Sequence, residues 1–138
     1  MSSFKVFDIA GSAMNAQTLR LNLVASNIAN ANSVSSSIGE TYKSRQPVFA
    51  AEFKDVLDRQ NAASGVRVLG VVESQAPVLK EYAPHHPKAD AQGYIYKSNV
   101  NTVEEMANMM SASRSYQNSV EVLDTTKNLM LQTLRMGQ

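Results

Sequence analysis

Residues 102–135 read TVEEMANMMSASRSYQNSVEVLDTTKNLMLQTLR, and the spacing within this stretch decides the fold. Met106, Met109, Ser113, Tyr116, Val120, Leu123, Lys127, Met130 and Leu134 step by three and four, which places them along one face of an α-helix. Asn101 or Thr102 can cap the start, and Glu104 or Glu105 then falls at the third helical position of a capping box. These acids suit the positive end of the helix dipole, and Arg135 suits the negative end. Gly137 stands where a helix can stop. The spacing predicts a helix over about 102–135.

The other end of the chain repeats the pattern. Between residues 4 and 31, Phe7, Ala10, Met14, Gln17, Leu21, Val24, Ile28 and Ala31 form a heptad seam with one polar position, Gln17. A helix of this length extends roughly 40 Å. Gly11 weakens it by about 1 kcal/mol relative to alanine. The segment between the helices reads differently. Asn32 to Gly39 is rich in Asn and Ser and predicts a loop. Gln46 to Phe53 fits a short strand or a helical turn. GVRVLGVVES (65–74) is rich in β-branched residues and predicts a strand with a bulge at Gly70. Pro77 to Tyr82 predicts a second strand and Tyr94 to Tyr96 a third, with turns from Pro84 to Gly93. The expected fold class is α+β. Two long terminal helices (1–32 and 101–138) pair as an antiparallel coiled coil, with a loop and a small β-rich module over 33–100.

Composition narrows the function. The chain has 138 residues, 13 basic and 12 acidic, for a net charge of +1. A balance so even gives no field to steer it onto nucleic acid or an anionic membrane. Without cysteine there is neither a disulfide nor a thiolate metal site. No apolar run approaches the roughly 20 residues that span a bilayer. The N-terminus lacks the basic cluster of a cleavable signal peptide, and Asp8 interrupts its apolar stretch. Charge is scarce in both helices. Residues 2–32 hold only Lys5, Asp8 and Arg20, and residues 106–134 only Arg114, Glu121, Asp124 and Lys127. A solitary helical hairpin solvates its outer faces with Lys and Glu, whereas these carry Asn, Ser, Thr, Gln and Ala. Neutral polar groups can be buried if each finds a partner, so neighbouring subunits are expected to cover these faces.

The segment ASNIANANS (25–33) resembles the N-terminal signature of the rod and hook axial proteins of the bacterial flagellum. FDIAGSAMNAQTLRLNLVASNIANANS (7–33) and GYIYKSNVNTVEEMANMMSASRSYQNSVEVLDTTKNLMLQTLRMGQ (93–138) are similar to proximal rod subunits of that family nearly throughout. The resemblance is looser over 45–92, where ESQAP and HPKADAQGY carry it. It implies a structural subunit of the basal-body rod, polymerising into the axial drive shaft that transmits torque for motility. It further implies a coiled-coil core of the kind found innermost in such proteins, whose terminal segments order on assembly. It also implies export through the flagellar type III apparatus without signal cleavage. The implied partners are further copies of the chain, the rod proteins FlgB, FlgF and FlgG, and the basal adaptor FliE.

The residues expected at assembly contacts are Phe7, Met14, Leu21, Val24, Asn27, Ile28 and Asn30 in the first helix. In the second they are Met106, Met109, Met110, Arg114, Tyr116, Val120, Leu123, Met130 and Leu134. Asn is a poor helix former and a good cap, so Asn27 and Asn30 either end the helix or satisfy groups at a subunit contact. Arg114 can pair with an acid across an interface, such as Asp8. Methionine adapts to irregular contacts, which suits several related partners and ordinary core filling alike. Enzyme signatures are lacking. The six glycines form no phosphate loop, no serine sits in a nucleophile elbow, and capping accounts for Glu104 and Glu105. His85 and His86, with only Asp90 nearby, make a poor metal site. No catalytic residue, cofactor or small-molecule substrate is expected. The competing class is a soluble helical adaptor or chaperone-like module that grips other proteins through an amphipathic helix.

Overall fold

The computed structural model describes residues 3–52 and 65–137. Helix α1 spans Ser3–Asn30, and α2 spans Thr102–Met136. Between them lie β1 (Val34–Ser35), β2 (Arg45–Glu52), β3 (Gly65–Glu73), β4 (Leu79–Tyr82) and β5 (Tyr94–Lys97). The fold is α+β, with all strands antiparallel.

The ends of α2 follow from its sequence. The Asn101 side chain accepts hydrogen bonds from the backbone amides of Val103 (3.1 Å) and Glu104 (3.4 Å), two of the four donors a helix start leaves free. At the other end the Gly137 amide donates back to the Thr133 carbonyl. In α1 the exposed positions Lys5, Asp8, Gly11, Asn15, Thr18, Asn22, Ala25 and Ala29 form one narrow stripe, and the rest of the described surface is at least half covered. Two neighbours cover it: α2 on one side and the β2–β3 pair on the other. Among the described elements, helix α2 packs on α1 and on no strand.

The helices run in opposite directions. Arg20 donates to Asn108 at 3.2 Å, while the end of α1 and the lead-in to α2 meet around Ser44. The closest packing is made by small side chains, with Ala16 2% and Ala112 0% exposed. Seventeen residues before Arg20 is Ser3, and seventeen after Asn108 is Thr125. The last three turns of α2, about 16 Å at 1.5 Å per residue, therefore extend past the start of α1.

The strands form two sheets. One pairs β2 with β3, and the other has the order β1–β5–β4. The segment that fits strand or helical turn is a strand over 45–52, and Phe53 lies outside the described residues. Register shifts where Val48 faces Gly70 and Phe49 faces Val68, so Leu69 is the extra residue of a bulge beside Gly70. The expected loop after α1 contains the two residues of β1, which pair with Tyr96 and Lys97. The strand expected from Pro77 begins two residues later, at Leu79, because proline has no amide to give a ladder.

Two glycines are dictated by close approach. A Cβ on Gly65 would meet the Ser12 hydroxyl of α1 at 3.1 Å, where that hydroxyl accepts from the Val66 amide at 3.0 Å. Gly93 has φ +81°, and a Cβ there would lie 2.9 Å from the Tyr82 ring. It closes the turn from β4 to β5, which Asp90 organises by accepting from the amides of Tyr94 (2.8 Å) and Gln92 (2.9 Å) and from the Tyr96 hydroxyl (3.2 Å). The Tyr94 amide leads these donors in holding the Asp90 carboxyl below its ordinary pKa, against its partial desolvation. In the same turn His86 Nδ1 accepts from the Lys88 amide. Among the described residues no group of three metal-ligating side chains forms, and no helix is long and apolar enough to cross a membrane.

Candidate assembly interface

Three features bear on assembly: a polar knot at the end of α1, a cavity at the start of α2, and the outer face of α2.

The knot centres on Asn27, which is 0% exposed. Its Nδ2 donates to the Arg45 carbonyl at 2.9 Å and to Ser44 Oγ at 3.3 Å. Its Oδ1 accepts from the Arg45 amide and the Tyr42 hydroxyl, both at 2.9 Å. The side-chain amide thus pairs with both backbone groups of Arg45, as a second strand would, and only Asn or Gln carries donor and acceptor in that arrangement. Asn99 extends the knot, accepting from the Ser44 amide and donating to the Ala76 carbonyl, each at 2.8 Å. The end of α1, the start of β2 and the lead-in to α2 are locked together by groups that would otherwise be buried without partners. Asn30 bonds back to the Ser26 carbonyl, while its own carbonyl accepts from the amide and hydroxyl of Ser33.

The cavity has a volume of about 390 Å³ and is lined by Arg20, Val24, Arg45, Gln46, Pro47, Phe49, Glu104, Glu105 and Asn108. Glu105 is 3% exposed, and nothing in the described chain donates to its buried Oε2. Leaving a buried acceptor unpaired costs about 1–3 kcal/mol, and more for a charged one. Gln17, the polar position of the α1 seam, also has a buried side-chain oxygen without a partner.

The exposed surface of α2 carries large apolar residues in its first turns and in its second half, with the polar Ser111, Arg114, Gln117, Asn118 and Glu121 exposed between them. Val103, Met106, Met110, Val122, Leu129, Leu131, Leu134 and Met136 are all exposed, Leu134 by 69%. None of the exposed large apolar residues lies in the described part of α1. Stretches of this kind mark interaction sites more often than inert surface. A smaller set, Val48, Leu69, Val71 and Val72, is exposed on the β2–β3 pair.

The residues singled out from sequence fall into three places. Val24 and Asn27 are buried within the chain, so Asn27 spends its hydrogen bonds internally and not on the surface a neighbour would meet. Phe7, Met14, Leu21, Ile28, Asn30, Met109, Tyr116, Val120, Leu123 and Met130 are half-buried along the helix contact or at its edges. Met106, Met110, Arg114 and Leu134 are exposed on α2. The buried line of α2 runs through Glu105 and Ala112, one position before Met106 and Ser113. A count of apolar residues passes over a carboxylate and a small alanine, so the packing face is rotated from the apolar seam. Ser44, Tyr42, Asn99 and Ala16 escaped notice. The dense run of Asn and Ser in ASNIANANS was the only signal that a polar knot was near.

Residues 7–35 match the family described as Flagella basal body rod protein, and residues 91–136 match Flagellar basal body rod FlgEFG protein C-terminal. Over all of both chains, the sequence is 51% identical to the flagellar basal-body rod protein FlgC of Salmonella typhimurium and 51% identical to that of Escherichia coli O157:H7. It is 38% identical to the FlgC protein of Buchnera aphidicola subsp. Acyrthosiphon pisum, again across all of both chains.

Proposed function

The chain belongs to the FlgC family of flagellar basal-body rod proteins, and from that premise we propose that it acts by geometry alone, as a repeated brick of the proximal rod. It is a structural subunit of the rod and resides in the flagellar basal body. It assembles with other flagellar components. The finer reading is that α1 and α2 form an antiparallel coiled-coil core like the innermost domain of other axial proteins. That core packs side by side with its neighbours into a helical tube. Contacts in such an array are head-to-tail and do not close on themselves, which lets the structure grow along one axis. Torque passes through stiffness, and stiffness comes from dense packing. The same reading takes further copies of the chain, FlgB, FlgF, FlgG and FliE as neighbours, and the flagellar type III apparatus as the route of export, with no signal cleaved. Catalysis, cofactors and small-molecule substrates play no part in it.

The observation that carries this reading is the set of exposed Met, Val and Leu residues near both ends of α2 and the extension of that helix past α1. An unshielded stripe of Met and Leu on a monomer is an aggregation hazard, whereas on a subunit surrounded by copies it is a contact. Image reconstruction of intact rods tests it. The expected result is α2 lying against helices of adjacent subunits along Met106, Met110 and Leu134. An α2 whose outer face meets only solvent in the rod would overturn it.

A further inference from the structure

We propose that the cavity between α1, β2 and the first turn of α2 is a socket for a basic side chain, Lys or Arg, of an adjacent rod subunit, with Glu105 as its counter-charge. This deepens the rod-subunit reading and rests on it.

The charges around the cavity point to a cation. Two bases stand in its wall, and one of them is already ion-paired. Arg20 donates to Asn108, and Arg45 pairs with Glu73 at 3.2 Å while stacking over the Tyr42 ring at 5.5 Å. The two acids, Glu104 and Glu105, form no ion pair among the described residues; with Arg45 neutralised by Glu73, they face the single remaining charge of Arg20, which leaves an excess of one negative charge. Glu105 is too deep for water to relieve it freely, since it is 3% exposed and its Oε2 has no donor from the chain.

Ordinary helix chemistry does not explain its position. The Asn101 side chain serves the first free amides, and the Glu105 amide is itself bonded to the Asn101 carbonyl at 2.9 Å. The remaining helix-start amides do not reach the Glu105 carboxylate, whose buried Oε2 has no donor among the described residues. At about 390 Å³, against about 30 Å³ for one water, the cavity has room for a long side chain. Arg45, Gln46 and Glu104 of its lining are exposed, so the cavity is open to the surface that a neighbouring subunit would meet. Arginine suits the site well, because its planar fork can take both carboxylate oxygens.

The test compares wild type, Glu105→Gln and, as a control on the open face of α2, Glu121→Gln. Each is expressed in cells deleted for the native gene, and basal bodies are isolated and washed with rising salt. Glu105→Gln is expected to leave the rods at least ~10-fold faster than wild type and Glu121→Gln at the wild-type rate, since losing one partner of a buried pair acts on dissociation. The purified Glu105→Gln monomer is expected to unfold at the same urea concentration as wild type or higher, because the uncompensated charge is gone. A variant that weakens the monomer and leaves the rods at the wild-type rate would make Glu105 a purely structural residue and overturn the socket. A side-chain-resolution reconstruction of wild-type rods decides the matter even if the variant fails to fold. A Lys or Arg nitrogen of the adjacent subunit within 4 Å of Glu105 is expected, and Arg20 of the same chain in that place would refute the proposal. Absence of the wild-type chain from isolated rods would instead bring down the rod-subunit reading itself.

Discussion

Helices α1 and α2 carry the same three-and-four spacing of apolar residues and nearly the same scarcity of charge, yet they occupy opposite situations. Helix α1 lies between α2 and the β2–β3 pair, with one narrow exposed stripe of small and polar residues. Among the described elements, helix α2 packs closely on α1 alone, and it turns Met, Val and Leu outward in its first turns and its second half. Periodicity marks which residues can share a face. It does not say whether that face is covered from within the chain or from outside. In this molecule one helix is satisfied by its own fold and the other is left for its neighbours.

The contrast can be broken most sharply at Asn27. Asn27→Leu removes four hydrogen bonds and leaves the part-buried amide and carbonyl of Arg45 without these partners, so the monomer should lose about 3 kcal/mol or more, read by urea unfolding. A loss below about 1 kcal/mol would mean that α1 is not anchored by the knot. Next in size is Ala112→Leu, at the closest approach of the helices. Overpacking there should cost about 1–3 kcal/mol and lower the melting temperature. If it is neutral, α2 sits more loosely on α1 than Ala16 and Ala112 imply.

Gly11→Ala should act in the other direction. Gly11 lies on the exposed stripe of α1 with no atom within 4 Å of an added Cβ, so the monomer should gain up to about 1 kcal/mol. The smallest effect on the monomer belongs to Leu134→Asp, on the part of α2 beyond α1. Its stability should change by no more than about 0.5 kcal/mol, while swimming in soft agar is abolished. Leu123→Asp, half-buried against α1, should both destabilise the monomer and stop swimming. If Leu134→Asp swims normally, the outer face of α2 is not an assembly contact. Hydrogen exchange on the dilute monomer adds a graded version of the comparison. Residues 126–136 should exchange faster than the middle of α1, because most of them are exposed.

Much of the architecture was legible in the sequence because local rules govern it. The cap at Asn101, the helix over 102–136 and the strand at 65–73 follow from side chains acting on their own backbone within a few residues. The resemblance of ASNIANANS and of 93–138 to axial proteins led to the family that full-length relatives support. The site was less legible. Asn27 was visible as an unusual residue, but its partners Tyr42, Ser44 and Arg45 lie 15 to 18 positions away across a loop. Glu105 passed for a capping acid because a sequence gives no burial.

The amino-acid order by itself determined that this chain has two long, nearly uncharged helices flanking short strands. Helix periodicity and capping act over one or two turns, and charge needs no fold to be counted. Only the tertiary structure decided that α1 is the covered helix, that α2 extends past it, and that a carboxylate is buried beside their junction. Those outcomes depend on which faces meet across distant parts of the chain. Small residues such as Ala16 and Ala112 set that meeting by how closely they let two backbones approach, a property that hydrophobic spacing does not record.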